Sequence, residues 1–112
     1  MKFATLEIDG VKYSLAYDFN AICKIEELTG VNLLEALESL QNGLSASQLR
    51  GLFLAALEAG PEAAFPGKTP RESLETAGEL IRLDTLLPIT KALSEAYNLS
   101  MASMEPVEPV SA

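Results

Sequence analysis

A chain of 112 residues with 48% hydrophobic content has room for one domain and a true core, but not for two domains. Sixteen acidic residues against eight basic ones give a net charge of −8, with the basic residues scattered singly. This balance argues against nucleic acid and against an anionic membrane surface, both of which draw on clustered Lys and Arg, and no apolar run reaches the ~18 residues of a membrane span.

Lys2 to Ala16 reads as a β-hairpin. Asp9-Gly10 is a two-residue type I′ turn signal, because both central positions need positive φ. The implied pairs are Ile8 with Val11, Leu6 with Tyr13 and Ala4 with Leu15 on one side, and Glu7 with Lys12 and Thr5 with Ser14 on the other. Turn and pattern agree, so the register follows. A lone hairpin is marginal in water, so its apolar side should lie on helices.

The stretch Tyr17 to Gly30, YDFNAICKIEELTG, links the hairpin to the rest. Asp18 can cap a helix and Gly30 can end it. Ala21, Ile22, Ile25 and Leu28 share one face, and Asn20, Lys24 and Glu27 share the opposite one. Phe19 and Cys23 lie at one edge of the apolar arc, and Glu26 falls between Phe19 and Ile22 inside it. A second helix is expected over Val31 to Asn42, with Asn32 and Glu35 as a capping pair. Ser45 starts a third, with Gln48 completing a capping box and Leu49, Leu52, Phe53, Ala56 and Leu57 in the i, i+3, i+4, i+7, i+8 pattern. This helix is the most apolar and is expected at the centre. Gly60-Pro61 stops it.

Pro61 to Lys68 is a loop, and Thr69-Pro70-Arg71-Glu72 restarts a helix with Thr as cap, Pro at its first position and Glu at its third. Leu74, Ala77 and Ile81 are its core side, with Leu80 beside them. Asp84 begins the last helix, or Pro88 marks its true first turn. Ile89, Ala92, Leu93, Ala96 and Tyr97 share one face there. Residues 100–112, with Pro106 and Pro109 and no basic residue, read as a disordered tail. The fold class is therefore mainly α: an N-terminal hairpin packed on about five short helices within residues 1–99, followed by the tail.

Chemistry is sparse. No histidine is present to serve as general base or metal ligand. Cys23 alone cannot build a thiolate zinc site and has no His partner, so it reads as a small buried hydrophobe. A single cysteine also fits a cytoplasmic protein. No glycine-rich loop cradles a phosphate, and two of the glycines, Gly51 and Gly78, fall inside helices where they permit close approach. Glu26 and Glu27 point about 100° apart on a helix, a poor acid–base pair. No enzymatic activity, cofactor or metal is expected. Four residues are candidate partner contacts instead. Phe19 edges the first helix. Glu26 is either a rim charge or a hydrogen-bonding group that fixes the hairpin–helix angle. Leu54 projects between Arg50 and Glu58, away from the core face, as a singly exposed leucine or the mark of a second buried side. Phe65, in its Pro-bounded loop, either packs back on its own domain or meets a partner.

The order of parts carries a resemblance. A hairpin "I-D-G-V-K-Y-S-L" runs into "Y-D-F-N-A-I-C-K-I-E-E-L-T-G", a Leu-rich helix, "L-R-G-L-F-L-A-A-L", then "T-P-R-E-S-L-E-T-A-G-E-L-I" and "I-T-K-A-L-S-E-A-Y". Over about residues 3 to 98 this resembles the tail assembly chaperones of long-tailed phages and gene transfer agents. The residues that carry it are Phe19, Asn20, Ala21, Ile25, Glu26, Gly30, Arg50, Leu57 and Ala77 to Ile81. The chain departs from that pattern in the loop around Phe65 and in Phe53, where a Trp would be half expected. The resemblance implies a non-catalytic protein in the cytoplasm of a bacterial host carrying a phage or prophage. Such a protein holds the tape measure protein soluble, helps recruit tail tube subunits and is absent from the mature particle. It also implies that a frameshifted longer form can exist in some phages. Self-association stays open. Other readings are a small structural tail or head–tail joining protein of the virion, and a small host regulatory adaptor.

Overall fold

The computed structural model describes residues 3–30, 32, 35, 38, 45–62 and 64–104, the last four by their backbone alone. Among them are two strands, β1 (Ala4–Ile8) and β2 (Val11–Leu15), and four helices, α1 (Phe19–Thr29), α2 (Ala46–Ala59), α3 (Pro70–Leu80) and α4 (Leu86–Met104). About five helices were expected from the sequence. The one predicted over Val31 to Asn42 lies outside the described residues except at three positions. There Asn32 accepts from the Glu35 backbone N–H at 2.9 Å, and its amide donates to the Glu35 carboxylate at 3.2 Å, as in the capping pair expected.

The hairpin has the register that its turn dictates, with Ala4 opposite Leu15, Leu6 opposite Tyr13 and Ile8 opposite Val11. Asp9 and Gly10 take φ of 53° and 82°, as a type I′ turn needs. Ala4, Leu6, Ile8 and Leu15 are buried, but Val11, beside the turn, is 50% exposed. β1 lies against α4 and β2 against α2, which supplies the support a two-stranded ribbon lacks by itself.

At α1, the Asp18 carboxylate accepts from the Ala21 N–H at 2.7 Å, and Gly30, with φ of 75°, closes the far end with its N–H on the Glu26 carbonyl. Ala21 and Ile25 are the buried side. Phe19 and Glu26 are turned away from it, so the apolar arc that the sequence extended to Phe19 is narrower in the fold.

α2 is the centre. Ser45 and Gln48 form the expected capping box, and every residue from Gly51 to Leu57 is buried. The cause is enclosure on several sides, since α1, α3, α4 and β2 all pack on this one helix. A helix that is apolar nearly all round belongs inside. Gly51 permits the approach of α1, because a Cβ there would lie 2.9 Å from Thr29 Cγ2. Gly78 does the same for α3, where a Cβ would lie 3.0 Å from Arg50 Cδ. At the C-terminal end of α2 the Ala56 carbonyl, which the helix leaves with a spare acceptor, takes the Ala16 N–H at 3.0 Å.

α3 begins as its sequence requires, with Thr69 and Glu72 in a capping box and Pro70 at the first position. The backbone and hydroxyl of Thr69 hold the Glu72 carboxyl below its usual range. α4 starts at Leu86, not at Asp84. Thr85 locks the link before it: its hydroxyl donates to the Leu80 carbonyl at 2.7 Å, and its oxygen accepts from the Arg82 N–H at 2.7 Å. Pro88 sits in the first turn, where a missing N–H costs nothing. Ile89, Ala92, Leu93 and Ala96 are buried as the periodicity demands.

The tail does not begin at Ser100. α4 continues to Met104, and Ser100 is buried with its hydroxyl oxygen accepting from the Tyr17 N–H at 3.0 Å. Local sequence around Leu99 gives no sign of this bond, because its partner is 83 residues away. Ser100→Ala is expected to leave the Tyr17 N–H unpaired inside the protein and to cost about 1–2 kcal/mol in chemical denaturation. Residues 105–112 lie outside the described residues.

Candidate functional site

The four candidate contact residues do not form one site. Phe19 stands 74% exposed on the outward side of α1, with Cys23 half-buried one turn on and Glu26 exposed beyond it. The Glu26 carboxylate makes no hydrogen bond or ion pair among the described residues, so the angle-setting bond is not formed here. Leu54 is corrected outright: at 1% exposure it belongs to the core cluster, and of its two sequence readings the second buried side is the one that holds. Phe65 is half-buried against the core, its ring centroid 6.3 Å from that of Tyr13 at a tilt of 59°, so it packs back on its own hairpin.

Surface hollows lie beside α2. One, of about 320 Å³, is between α1 and α2, and its lining includes Asp18, Asn20, Lys24 and Glu58, with the Lys24 ammonium 2.9 Å from the Glu58 carboxylate. Another is larger, about 550 Å³, and more apolar. It lies where the first turns of α2 meet the end of α3 and the start of α4, and is lined by Ala46, Ser47, Leu49, Arg50, Gly78, Ile81 and Leu86. Beside Leu86 in the chain, Leu83 and Leu87 are 96% and 78% exposed. The sequence reading missed this groove because its walls come from three elements. The signal available was Gly78, whose missing side chain leaves room for the Arg50 stem, together with the leucines around Thr85. Among the described residues no group of three or more His, Cys, Asp or Glu is placed to hold a metal ion.

The hairpin tip is tied to the α3–α4 link by one guanidinium. Arg82 donates to both Asp9 carboxylate oxygens, at 2.8 and 3.1 Å, and to Asp84 at 3.0 Å. These bonds hold the carboxyls of Asp9 and Asp84 below their ordinary 3.8, the hydrogen bond from Arg82 being the largest cause for each. The folded form is thus favoured by ionised Asp9. Its contribution is present above the ordinary carboxylate value and is lost as pH falls through the lower folded one. The pair is exposed, so the effect on stability is small. A carbon-detected NMR titration should place the Asp9 midpoint below 3.8, and Arg82→Ala should bring it back up.

Comparison with known proteins finds no family model, no curated protein and no solved structure that matches this chain. No helix among the described residues is long and apolar enough to cross a membrane.

Proposed function

We propose that this chain is a non-catalytic tail assembly chaperone that binds the tape measure protein and recruits tail tube subunits during phage or prophage tail morphogenesis, in the cytoplasm of a bacterial host. The observation that supports this reading best is apolar surface on an acidic exterior: Phe19 on α1, Leu86 in the groove, and Leu83 and Leu87 near it in sequence stand open on a chain of net charge −8. Exposed apolar surface of this kind suits the capture of another protein's apolar helices, while the charge keeps the carrier soluble. A hairpin followed by helices is also compatible with the order of parts on which the family resemblance rests.

Co-expression with the tape measure protein of the same genome tests the reading. The expected result is a soluble complex that co-elutes. A tape measure protein that stays insoluble, with no complex recovered, would sink the idea. Mass spectrometry of purified particles should find the chain missing; a fixed copy number there would make it a structural tail or joining protein instead. Glu26→Ala is expected to leave the melting temperature within about 3 °C, as surface substitutions usually do, while weakening capture of the tape measure protein. A large fall in melting temperature with capture intact would make Glu26 structural.

A further inference from the structure

Among the described residues, two surfaces of this one chain carry an unpaired charge each, of opposite sign. The first is the groove of Leu49, Arg50, Gly78, Ile81 and Leu86. Among the described residues of its lining, Arg50 carries the only formal charge. The Arg50 stem crosses Gly78, and its Nε is shielded from water without any hydrogen-bond partner. The residue forms no ion pair among the described residues, although as a whole it keeps some exposure. A shielded N–H without an acceptor is costly, and a carboxylate brought to Arg50 would satisfy it with a charge-assisted bond.

The second surface is the outward side of α1. Phe19, Cys23 and Glu26 follow one another at i, i+4 and i+7, so they form a single row. Phe19 offers a large exposed ring, and Glu26 an unpaired carboxylate roughly 10 Å further along the axis, at 1.5 Å per residue. Among the described residues nothing covers this ring.

The geometry points to α1 of a second copy of this chain as the occupant of the groove, with Phe19 against Leu49, Ile81 and Leu86 and with Glu26 paired to Arg50. Like does not fit like here, since groove on groove would bring no carboxylate to Arg50, and α1 row on α1 row would bring Glu26 no cation. The contact therefore joins two different surfaces. Copies that lend α1 to each other close a dimer, and copies that pass it onward form a ring or an open run. Because each chain carries a net charge of −8, association without this specific pairing is opposed. The inference stands apart from the tail-assembly reading and needs only the purified chain.

The test is sedimentation equilibrium of the full chain over a range of concentrations. The mass should rise above the 12.0 kDa monomer. Glu26→Gln and Arg50→Gln should each weaken association at least tenfold, with circular dichroism confirming that both fold. The decisive arm is mixing. Phe19→Ser with Glu26→Arg removes one surface, and Arg50→Glu removes the other, so each variant should stay monomeric alone. Their equimolar mixture should recover a 1:1 complex, because each retains the surface the other has lost. A chain that is monomeric at every concentration, association indifferent to Glu26 and Arg50, or a mixture that stays monomeric would each overturn the proposal.

Discussion

Leu54→Ala is expected to lower the stability of this chain by about 2–5 kcal/mol, the range for emptying a buried leucine site. Leu54 is 1% exposed and sits within the run Gly51 to Leu57, all of it buried. Its neighbours along the helix, Phe53 and Leu57, are fully enclosed, and packed helices on both sides leave little room for collapse into the void. Urea denaturation followed by circular dichroism measures the change. A loss below about 0.5 kcal/mol, the size of a surface substitution, would mean that Leu54 faces water after all.

Gly60→Ala is expected to cost about 3 kcal/mol, at the upper end of what overpacking does. The backbone at Gly60, with φ of −67° and ψ of 162°, would suit alanine. The obstacle is approach. A Cβ at Gly60 would lie 2.5 Å from the Ser14 carbonyl oxygen and 3.0 Å from its carbon, closer than real Cβ atoms come. A backbone carbonyl cannot swing aside as a side chain can. Moving it strains the seam where the Ala16 N–H reaches the Ala56 carbonyl, and with it the seating of the hairpin on α2. Thermal melting compares the variant with the unmodified chain; an unchanged midpoint would show that β2 and the end of α2 are not held this tightly.

The readable parts of this fold were those decided within a few residues. Asp9-Gly10 sets the turn, the turn sets the register, and Asp18, Ser45 and Thr69 each announce a helix start by satisfying N–H groups a turn away. The errors came where distant elements decide. Leu54 looked outward because a helical wheel assumes one buried side, whereas α2 has neighbours on several. The tail seemed to begin at Ser100 because the partner of that hydroxyl is at the other end of the chain. Asp84 looked like a cap but is engaged by Arg82, leaving the link to Thr85. Of the candidate site, the row of Phe19, Cys23 and Glu26 could be seen from spacing alone. The groove around Arg50 could not, since its walls at Leu49, Ile81 and Leu86 meet only when three helices are assembled.

The packing of β1 on α4 has a consequence for how the chain is made. A ribosome delivers the ribbon before its cover. Ala4, Leu6 and Ile8 must wait until Ile89 to Ser100 have been polymerised, which at about 5–20 residues per second takes several seconds. For that interval the nascent strand has a bare oily underside, and the ribbon's own side-chain charges, Glu7 and Asp9 against Lys2 and Lys12, cancel and lend it no repulsion from its neighbours on the same messenger.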